Sequence, residues 1–394
     1  MPHARRRYIH DELLKDLKWS KIVCVLGMRQ VGKTTLIREI TPSYFSFDDG
    51  IVRERASQED WSFLEGVKKP VAIDECQVVP NCFRQLKYLV DQSTRPGQFI
   101  LTGSVRFLSK KDIRESLTGR TTILELLPMN LSEAHEQPLS SFLAELGSET
   151  AAEDLIHQLQ THARFSPLRI QNYAQLGGLP GICFRRNAAI RNRLWTLHLE
   201  TILSRDIEMI APSRLGYFKL KQLLQETLSQ SGFPTNKALI AKKVGTSSPS
   251  VSRILDAFEA LFLIKKHGST YYSTDLGLWS YLGSAVNPSQ RLFWIQVLFN
   301  ELRTQLEYQF RSLYQFSEVT TRGGIDIPFL IEIKDIGRFA ITVDAEDRAS
   351  DKSLKSLTWY KKRTTLHRTV ALHQGTEAYL SSAGHLCIPL HWVF

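Results

Sequence analysis

One short segment near the N-terminus constrains the fold more than any other part of the chain. The apolar residues 22–26 have strand character and lead into Gly27-x-x-x-x-Gly32-Lys33-Thr34, and a helical pattern of apolar residues follows at once. The glycines allow the backbone to curl so that its N–H groups point at a phosphate, and the start of the helix adds the positive end of its dipole. The segment therefore predicts the strand, loop and helix of an α/β fold that binds phosphate.

The residue types in this loop are those that bind nucleoside triphosphates with magnesium. The ammonium group of Lys33 is placed to reach the β- and γ-phosphates, and the hydroxyl group of Thr34 is placed to ligate Mg²⁺. We therefore predict ATP and Mg²⁺ as cofactors. The predicted nucleotide-binding residues are Gly27, Met28, Arg29, Gln30, Val31, Gly32, Lys33, Thr34 and Thr35.

A second apolar segment ends in two acidic residues. Residues 71–73 lead into Asp74 and Glu75, which is typical of a buried strand whose carboxyl end faces the phosphates. Asp74 is predicted to hold Mg²⁺ together with Thr34, and Glu75 is predicted to orient the attacking water. This pair favours nucleotide hydrolysis over transfer of phosphate to a small molecule.

A third apolar segment, residues 98–104, ends in polar residues. If it forms an additional strand beside the loop, Thr102 and Ser104 are candidates for sensing the γ-phosphate. Arginines that could stabilise the transition state, in the same chain or in a neighbouring copy, follow at Arg106, Arg114 and Arg120. The sequence does not choose among the three. The catalytic candidates are Glu75, Lys33, Thr102 and Arg120.

The composition is that of a globular protein with several domains. The chain has 394 residues, of which 43% are hydrophobic and 23% charged, enough for roughly two to four domains. No apolar run approaches the ~20 residues of a membrane span, and the basic N-terminus lacks the apolar core of a secretory signal. Five widely spaced cysteines suit a reducing compartment. We therefore expect a cytoplasmic protein with no membrane partner, and the net charge of +10 favours an anionic one.

Several segments resemble, in their order along the chain, those of a large group of prokaryotic AAA-type ATPases. The segments are GMRQVGKTTL, YFSFDDG, IDECQVVP, FILTGS, SLTGR, GGLPG and LSRDI. Members of that group have a C-terminal winged-helix and nuclease-like domain, long catalogued as a domain of unknown function. The resemblance implies ATP binding at the glycine-rich loop and hydrolysis at Asp74 and Glu75. Gly50 and Cys76 depart from the family pattern, at positions that do not touch phosphate chemistry.

The expected fold class is α/β, with four units along the chain. They are a P-loop AAA-type ATPase domain at residues 1–135, a helical lid or linker at 136–230, a winged helix-turn-helix at 231–285, and a degenerate α/β nuclease-like domain at 286–394. Within the lid that the resemblance implies, Arg205 and Asp206 either meet the nucleotide or form an ion pair, and we favour the ion pair.

Residues 236–274 predict two helices, a turn between them and a two-stranded wing around Gly268. In such a module the second helix enters the major groove of DNA by its N-terminal residues, and lysines lie near phosphates. The nucleic-acid candidates are Lys242, Lys243, Ser248, Ser250, Arg253, Lys265 and Lys266. Because winged helices also pack against proteins, duplex DNA and a protein partner both remain open.

The segment IDIPFLIEIK, residues 325–334, has the appearance of a metal-dependent nuclease motif. It contains Asp326 and then Glu332-x-Lys334, the residue types that hold Mg²⁺ and an activated water. On one strand, however, Asp326 and Glu332 would lie ~20 Å apart, whereas ligands lie ~2.1 Å from Mg²⁺. One strand cannot supply both ligands.

The resemblance places the four active positions of a PD-(D/E)XK nuclease elsewhere. They fall at Trp294, Pro328, Thr342 and Asp344, and all four of the family's active residues are replaced. A proline also lacks the N–H group of a strand and suits an edge strand. We therefore expect a nuclease fold that does not cleave, with a shifted site at Asp344 and Glu346, or at Glu301, as the alternative.

Taken together, these patterns predict an ATP-hydrolysing switch. Its lid would transmit the nucleotide state to a winged helix that binds DNA or a partner, and to a nuclease-like module that does not cleave. The alternatives are an ATP-coupled DNA nuclease and a signalling ATPase with no nucleic-acid role. The formation of a homo-oligomer is left open.

Overall fold

The N-terminal part of the chain is built on a parallel sheet. A computed structural model describes residues 5–106, 117–162, 164–283 and 289–394. The strands of this sheet are β1 Ile22–Leu26, β2 Tyr44–Ser46, β3 Val71–Asp74, β4 Phe99–Gly103 and β5 Thr121–Glu125. Their order is β2-β3-β4-β1-β5, with parallel pairing throughout. Every residue of β1, β3 and β4 is buried, as expected of a parallel sheet covered on both faces.

Helices cover this sheet and position its carboxyl edge. In the described residues they are α1 Ile9–Asp16, α2 Lys33–Ile40, α3 Gly50–Ser57 and α4 Cys82–Asp91. Helix α4 buries Phe83, Leu86 and Val90 on one face, the spacing of an amphipathic helix. Strand β4 is the additional strand predicted from residues 98–104, and it lies between β1 and β3. Its polar end therefore lies between the glycine-rich loop and Asp74.

A helical segment follows the sheet. Its helices are α5 Leu131–Ala134, α6 Phe142–Leu146, α7 Ala152–His162, α8 Pro167–Leu176, α9 Pro180–Cys183 and α10 Ala188–Ser204. The glycine pair before α9 packs tightly on the chain that leaves β5. A Cβ atom at Gly178 would lie 2.0 Å from the carbonyl oxygen of Met129, and Gly177 has φ of +74°, so neither position tolerates a side chain. Trp195 and Leu199 of α10 pack in the same core as the parallel sheet.

The next unit has the helices and hairpin that the sequence predicts. Helices α11 Tyr217–Leu228, α12 Lys237–Val244 and α13 Ser248–Ala260 precede β6 Ile264–His267, β7 Thr270–Ser273 and helix α14 Leu276–Gly283. The side chain of Asn236 accepts a hydrogen bond from the Leu239 N–H at the start of α12, and Ser247 caps α13 in the same way. Gly268, at the hairpin turn, has φ of +57°.

The C-terminal part is a mixed sheet with a helix on each face. Its strands are β8 Tyr314–Thr320, β9 Asp326–Ile333, β10 Gly337–Val343, β11 Arg368–His373, β12 Tyr379–Leu380 and β13 Leu386–Pro389, in the order β12-β13-β11-β10-β9-β8. Helix α15 Gln290–Gln305 packs with Phe329 and Ile341. Helix α16 Asp351–Lys361 covers the opposite face, where Leu357 packs with Leu330 and Ala340.

The hairpin β6–β7 is packed against this C-terminal sheet. The carboxylate of Glu318 on β8 accepts hydrogen bonds from the Ser269 N–H at 2.8 Å, the Ser269 hydroxyl at 2.9 Å and the Thr270 hydroxyl at 3.0 Å. The Nε2 atom of His267 lies 3.1 Å from the carbonyl oxygen of Pro328. A Cβ atom at Gly268 would lie 2.6 Å from Glu318, so the hairpin tip is held closely.

A buried carboxylate joins the C-terminal part to the edge of the N-terminal sheet. Glu125, the last residue of β5, forms ion pairs with Arg303 of α15 at 2.6 Å and with Arg106 at 2.7 Å. Burial opposes ionisation of Glu125, but the cations of Arg303 and Arg106 outweigh burial and lower its pKa to about 2. The pairing fixes α15 beside the strand that neighbours the glycine-rich loop.

Candidate nucleotide site

The glycine-rich loop runs from the carboxyl end of β1 to the start of α2, as predicted. A Cβ atom at Gly27 would lie 2.4 Å from the carbonyl oxygen of Leu126, and Gly32 has φ of +105°. Only glycine fits both positions, the first because of the close approach and the second because of its backbone conformation. The loop's conformation is therefore set by these residues and by the strand β5 beside it.

Lys33 is buried beneath this loop. Its ammonium group donates hydrogen bonds to the carbonyl oxygens of Gly27 at 2.9 Å and Met28 at 3.0 Å. Burial lowers the pKa of Lys33 to about 8, although the carboxylates of Glu75 and Asp74 oppose this shift. A cation held in this way is available to the phosphates that the loop is shaped to bind.

Asp74 is the centre of a network of hydroxyl groups. Its Oδ2 accepts hydrogen bonds from the Thr34 hydroxyl at 2.7 Å and from the Tyr44 hydroxyl at 2.7 Å. Its Oδ1 accepts from the hydroxyl of Thr102 and from the N–H of Glu75. Thr102, predicted as a sensor of the γ-phosphate, is thus bonded to the carboxylate that the sequence assigns to the metal.

Glu75 lies next to this network at a strained backbone position. Its φ of +56° is in the left-handed region, which is uncommon for a residue with a side chain and is often found at functional sites. Its Oε2 accepts hydrogen bonds from the Ser104 hydroxyl at 3.2 Å and from the side-chain amide of Gln77. Burial raises the pKa of the Glu75 carboxyl, against the effect of Lys33. Ser104, the other predicted sensor, therefore contacts the predicted base.

Two clefts meet at Thr34 and Glu75. The first has a volume of about 410 Å³ and extends from the loop toward α9. Its lining includes Arg5, Arg7, Gly32, Lys33, Thr34, Thr35, Glu75, Met129, Pro180 and Phe184. The second, of about 620 Å³, lies on the other side of Asp74 and is lined by polar residues that include Arg38, Tyr44, Asp48 and Asp49. A triphosphate on the loop would have its terminal phosphate where the clefts join.

The helical segment contacts two residues of the loop directly. The Nδ1 atom of His198 on α10 lies 3.2 Å from the side-chain oxygen of Gln30, and the guanidinium group of Arg29 lies 3.5 Å from the carboxylate of Asp206. Arg205 pairs with the same carboxylate at 3.0 Å, which is the ion pair favoured from the sequence. Burial, with the cations of Arg29 and Lys33, lowers the pKa of His198 to about 4.

Arg7 is part of the site although nothing in the sequence pattern points to it. Its guanidinium group donates to the carbonyl oxygen of Val31 in the loop at 2.8 Å, to that of Leu127, and to the carboxylate of Glu133 at 3.2 Å. The only sequence signal was the basic N-terminus, which indicated nothing more specific. Arg7 ties the glycine-rich loop to the segment that follows β5.

The three candidate arginines lie in different places. Arg106 is paired with Glu125 near the carboxyl edge of the sheet, and Arg114 lies outside the described residues. Arg120 forms a two-point ion pair with Asp91 and immediately precedes β5, whose first residue pairs with Ile22 at the start of β1. Because β1 spans five residues, at ~3.3 Å each, Arg120 is at the far end from its own loop. The prediction of Arg120 as a catalytic residue in its own chain is wrong, whereas action on a neighbouring copy stays a prediction.

Some of the nucleic-acid candidates have exposed side chains, and others are bonded to protein groups. Lys242 and Lys266 are exposed, and Ser248 and Ser250 lie in the first turn of α13. Three other cations have protein partners. These are Lys243 with Glu226 at 2.6 Å, Lys265 with Glu259 at 3.7 Å, and Arg253 with the carbonyl oxygen of Pro212 at 2.7 Å. Since the hairpin tip is also packed against β8, the surface left for a ligand is that of α12 and the start of α13.

The positions that correspond to nuclease ligands are not brought together. Trp294 packs in the core with Ile341 and Val343, so Thr342, between them on β10, points to the opposite face. Asp344 accepts hydrogen bonds from the Ser350 hydroxyl at 2.6 Å and the Ser353 hydroxyl at 2.8 Å, and is buried by α16. Throughout the described ranges, no three His, Cys, Asp or Glu side chains are grouped to hold a metal ion.

Glu346, offered with Asp344 as an alternative for cleavage, is exposed, and three other carboxylates of the C-terminal part have protein partners. Glu301 accepts a hydrogen bond from the side-chain amide of Asn130 in the N-terminal part at 3.1 Å, whereas Asp344 is bonded to the start of α16. Asp326 pairs with Arg291 at 2.7 Å, and Glu332 pairs with Arg338. Strand β9 is an inner strand rather than the expected edge; Pro328 is accommodated because β8 bulges opposite it, between Ser317 and Val319.

Two protein-family models match separate parts of the chain. Residues 20–135 match an AAA domain. This part of the chain is an AAA-type P-loop ATPase domain. Residues 168–278 match a domain of unknown function, DUF8612, so the second match covers the later helices of the helical segment, α8 to α10, and the unit from α11 to the start of α14. No helix in the ranges that the structure describes is long and apolar enough to cross a membrane.

Relatives with curated sequences are similar over a limited length. Uncharacterized proteins of Mycobacterium tuberculosis and Mycobacterium bovis are each 32% identical to the chain over 125 residues. The aligned part is 31% of this chain and 28% of each relative. The chain thus spans less than a third of the length of these relatives.

Solved structures show weak similarity. The Walker-type ATPase of Pyrococcus abyssi has a TM-score of 0.44 at 16% identity, covering 69% of this chain and 94% of that one. RuvB of Thermotoga maritima has a TM-score of 0.30 at 16% identity, covering 67% and 90%. A signal transduction ATPase with a tetratricopeptide repeat sensor, from Pyrococcus horikoshii, has a TM-score of 0.27 at 14% identity, covering 75% and 45%. These values are too low to assign a fold or a function.

Proposed function

We propose that the chain binds ATP with Mg²⁺, hydrolyses it, and uses the helical segment to pass the nucleotide state to a winged-helix-like unit, formed by α11 to α14 with the hairpin β6–β7, and to the C-terminal sheet. The observation that most supports hydrolysis is the placement of Glu75. Its carboxylate lies at the junction of the two clefts, held by Ser104 and Gln77, beside the Asp74 and Thr34 pair. A carboxylate fixed in this position can orient a water molecule toward a terminal phosphate.

The phosphates would be bound by the loop itself. Its backbone N–H groups and the start of α2 attract anions, and Lys33 supplies a full positive charge beneath them. In the structure that charge is satisfied by the carbonyl oxygens of Gly27 and Met28. Binding therefore exchanges carbonyl partners for phosphate oxygens, which are stronger acceptors for an ammonium group.

Thr34 and Asp74 fit a magnesium ion. Both offer oxygen atoms, the ligands that Mg²⁺ prefers, and the hydroxyl oxygen of Thr34 lies 2.7 Å from Oδ2 of Asp74. When bound, Mg²⁺ would neutralise charge on the β- and γ-phosphates. Thr102 and the N–H of Glu75 hold the other oxygen of Asp74, so that the carboxylate keeps its orientation.

Glu75 would orient and polarise the attacking water. Burial raises the pKa of its carboxyl, which makes the carboxylate a stronger base than an exposed one. Ser104 and Gln77 donate to one oxygen, Oε2, which leaves Oε1 for the water. The wide polar cleft lined by Asp48 and Asp49 offers the water a path to this position.

The other end of the first cleft suits a nucleobase. Phe184 and Pro180 supply flat and apolar surface there, with Met129 beside them. The guanidinium group of Arg5 lies 5.2 Å from the centre of the Phe184 ring, so that a base at this end would meet an aromatic ring paired with a cation. This end belongs partly to α9, which would make the helical segment sensitive to the presence of the base.

The experiment that tests hydrolysis compares the wild type with Glu75→Gln, with and without duplex DNA. We expect the rate of phosphate release to fall by roughly 10²- to 10⁴-fold, while binding of ATP is retained because Gln keeps the size of the side chain. Glu65→Gln, at an exposed position, is the matched control. Equal rates for the wild type and Glu75→Gln would reject the assigned base, and rates that DNA leaves unchanged would reject coupling to DNA.

A second candidate function is binding of duplex DNA by α12 and the start of α13. Two features favour it, namely the exposed side chains of Lys242 and Lys266 and the partly exposed hydroxyl residues Ser248 and Ser250 in the first turn of α13. The tip of the hairpin β6–β7 is hydrogen-bonded to Glu318, which argues against its insertion as a wing into a groove of DNA. A protein partner at the same surface would correspond to a signalling role without nucleic acid.

Filter binding of duplex DNA at a series of salt concentrations distinguishes a role in DNA binding from a role in binding a protein partner. If DNA binds here, Lys242→Ala should reduce the slope of log affinity against log salt by about 1. Lys68→Ala, an exposed lysine of the N-terminal part, should leave the slope unchanged. No binding of duplex DNA between about 50 and 200 mM salt would favour the protein partner.

A further inference from the structure

Tyr44 lies beside the proposed metal site, on a strand that the sequence pattern did not connect with it. On β2, Ser46 pairs with Asp74 of β3, and Tyr44 pairs with Ala72. From that position the Tyr44 hydroxyl reaches forward and donates to Oδ2 of Asp74 at 2.7 Å. The bond is therefore built by the parallel pairing of two strands and does not depend on a flexible loop.

The two oxygens of Asp74 have different donors. Oδ1 is held by Thr102 of β4 and by the N–H of Glu75, whereas Oδ2 is held by Thr34 and Tyr44. Thr34 is also the hydroxyl proposed to ligate Mg²⁺, so its geometry must adapt when the metal binds. Tyr44 is then the donor that keeps Oδ2 in place without taking part in ligation.

The ring of Tyr44 is itself fixed. The guanidinium group of Arg38 on α2 lies 4.1 Å from the centre of the ring, a cation–π contact. The other surroundings of the ring form part of the polar cleft that ends at Asp74.

We propose that Tyr44 is a positioning residue for the divalent metal: its hydroxyl orients the carboxylate of Asp74 so that magnesium binds together with the nucleotide. This inference rests on the proposed function, since it deepens the role of the same site. In this role Tyr44 acts through the carboxylate of Asp74 and is not itself a ligand of the metal. Its effect is confined to the orientation of Asp74, as expected of a group that hydrogen-bonds a metal ligand.

The test uses Tyr44→Phe in the full chain and measures binding before activity. A fluorescent, non-hydrolysable ATP analogue is titrated at a series of Mg²⁺ concentrations and also in excess chelator. We expect the Mg²⁺ concentration at half-saturation to rise by about 10- to 100-fold, with the affinity for the metal-free analogue unchanged. Hydrolysis at saturating ATP should show the same shift in its Mg²⁺ dependence.

Tyr88→Phe is the matched control. Tyr88 is 60% exposed on α4, so loss of its hydroxyl should alter neither measurement. Thermal unfolding without nucleotide should place both variants close to the wild type, because Thr34 still bonds Oδ2 in the absence of metal.

The results of the Tyr44→Phe titration can contradict the role of Tyr44 without contradicting ATP hydrolysis, and the reverse also holds. If the wild type binds the Mg²⁺ analogue and Tyr44→Phe shows the same Mg²⁺ half-saturation, the inference is overturned while hydrolysis stands. A Tyr44→Phe protein that does not fold also overturns it, since the proposal assigns the hydroxyl to the metal site alone. If instead the wild type hydrolyses ATP no faster than Glu75→Gln, the proposed function fails, whereas the binding titration still reports on Tyr44.

Discussion

Asp206 and Arg29 form an ion pair between the helical segment and the glycine-rich loop, with 3.5 Å between carboxylate and guanidinium. Asp206 is buried and also pairs with its neighbour Arg205. Its charge lies close enough to Lys33 to oppose the lowering of that residue's pKa. A negative charge thus lies near the position proposed for the phosphates, although Asp206 follows the last residue of the sheet, Glu125, by about 80 residues in sequence.

Replacement of Asp206 by Asn should strengthen nucleotide binding and weaken the fold. Removal of the carboxylate relieves its repulsion of the phosphates, so the affinity for ATP should rise by roughly 3- to 10-fold. Arg29 then lacks its partner, which should lower the free energy of unfolding by about 1 to 3 kcal/mol, less than for a fully buried pair because Arg29 is partly exposed. Titration with a fluorescent ATP analogue and urea denaturation measure the two effects. Glu208→Gln, an exposed neighbour, should change neither, and unaltered ATP affinity in Asp206→Asn would contradict the proposed position of the phosphates.

The parts of the site that the sequence could predict are those set by neighbouring residues. The loop, its lysine and Asp74 with Glu75 all follow directly from apolar strands, because a strand and the residues after it have a fixed spatial relation. The same holds for the hairpin at Gly268, where local backbone chemistry decides the structure.

The parts that could not be predicted depend on contacts between distant residues. Arg7 meets the loop through Val31 and Glu133, and Tyr44 reaches Asp74 across two strands. Neither has a spacing signal, since the pairing is made by the sheet order and the packing of the first helix. The choice of Arg120 as a catalytic residue failed for the same reason, because its place at the far end of the sheet follows from the pairing of β5 with β1.

Stability should depend on pH through Glu301. This carboxyl is buried between α15 and Asn130, and burial raises its pKa from 4.5 to about 7 despite hydrogen bonds from Gln305 and Asn130. The folded protein binds this proton more tightly than the unfolded chain does. Ionisation of Glu301 therefore destabilises the folded protein increasingly as pH rises above 4.5, and the loss of stability is complete above about 7. Glu301→Gln should therefore be more stable than the wild type by about 2 to 3 kcal/mol at about pH 8 and close to it at about pH 5.

Urea denaturation at the two pH values checks this expectation. The exposed Glu153→Gln makes the same chemical change without burial, and should show little difference at either pH. The neighbouring buried acid Asp275, whose pKa burial raises to about 6, is present in every variant and does not alter the comparison. A gain in stability of Glu301→Gln that is equal at both pH values would mean that packing, and not ionisation, is responsible.

Asp344→Ala distinguishes a structural carboxylate from a catalytic one. Asp344 accepts hydrogen bonds from the hydroxyl groups of Ser350 and Ser353 and from the Ser350 N–H at 3.2 Å, and so fixes the start of α16. Its removal leaves these donors without their acceptor in a buried position, which should cost about 1 to 3 kcal/mol of unfolding free energy. Glu346→Ala, at an exposed position two residues on, should cost far less. A plasmid-nicking assay with Mg²⁺ or Mn²⁺ should show no cutting by the wild type or either variant, because the Asp344 carboxylate is hydrogen-bonded to Ser350 and Ser353 at the start of α16. Cutting by the wild type that Asp344→Ala abolishes, at a temperature where both proteins are folded, would instead establish a shifted nuclease site.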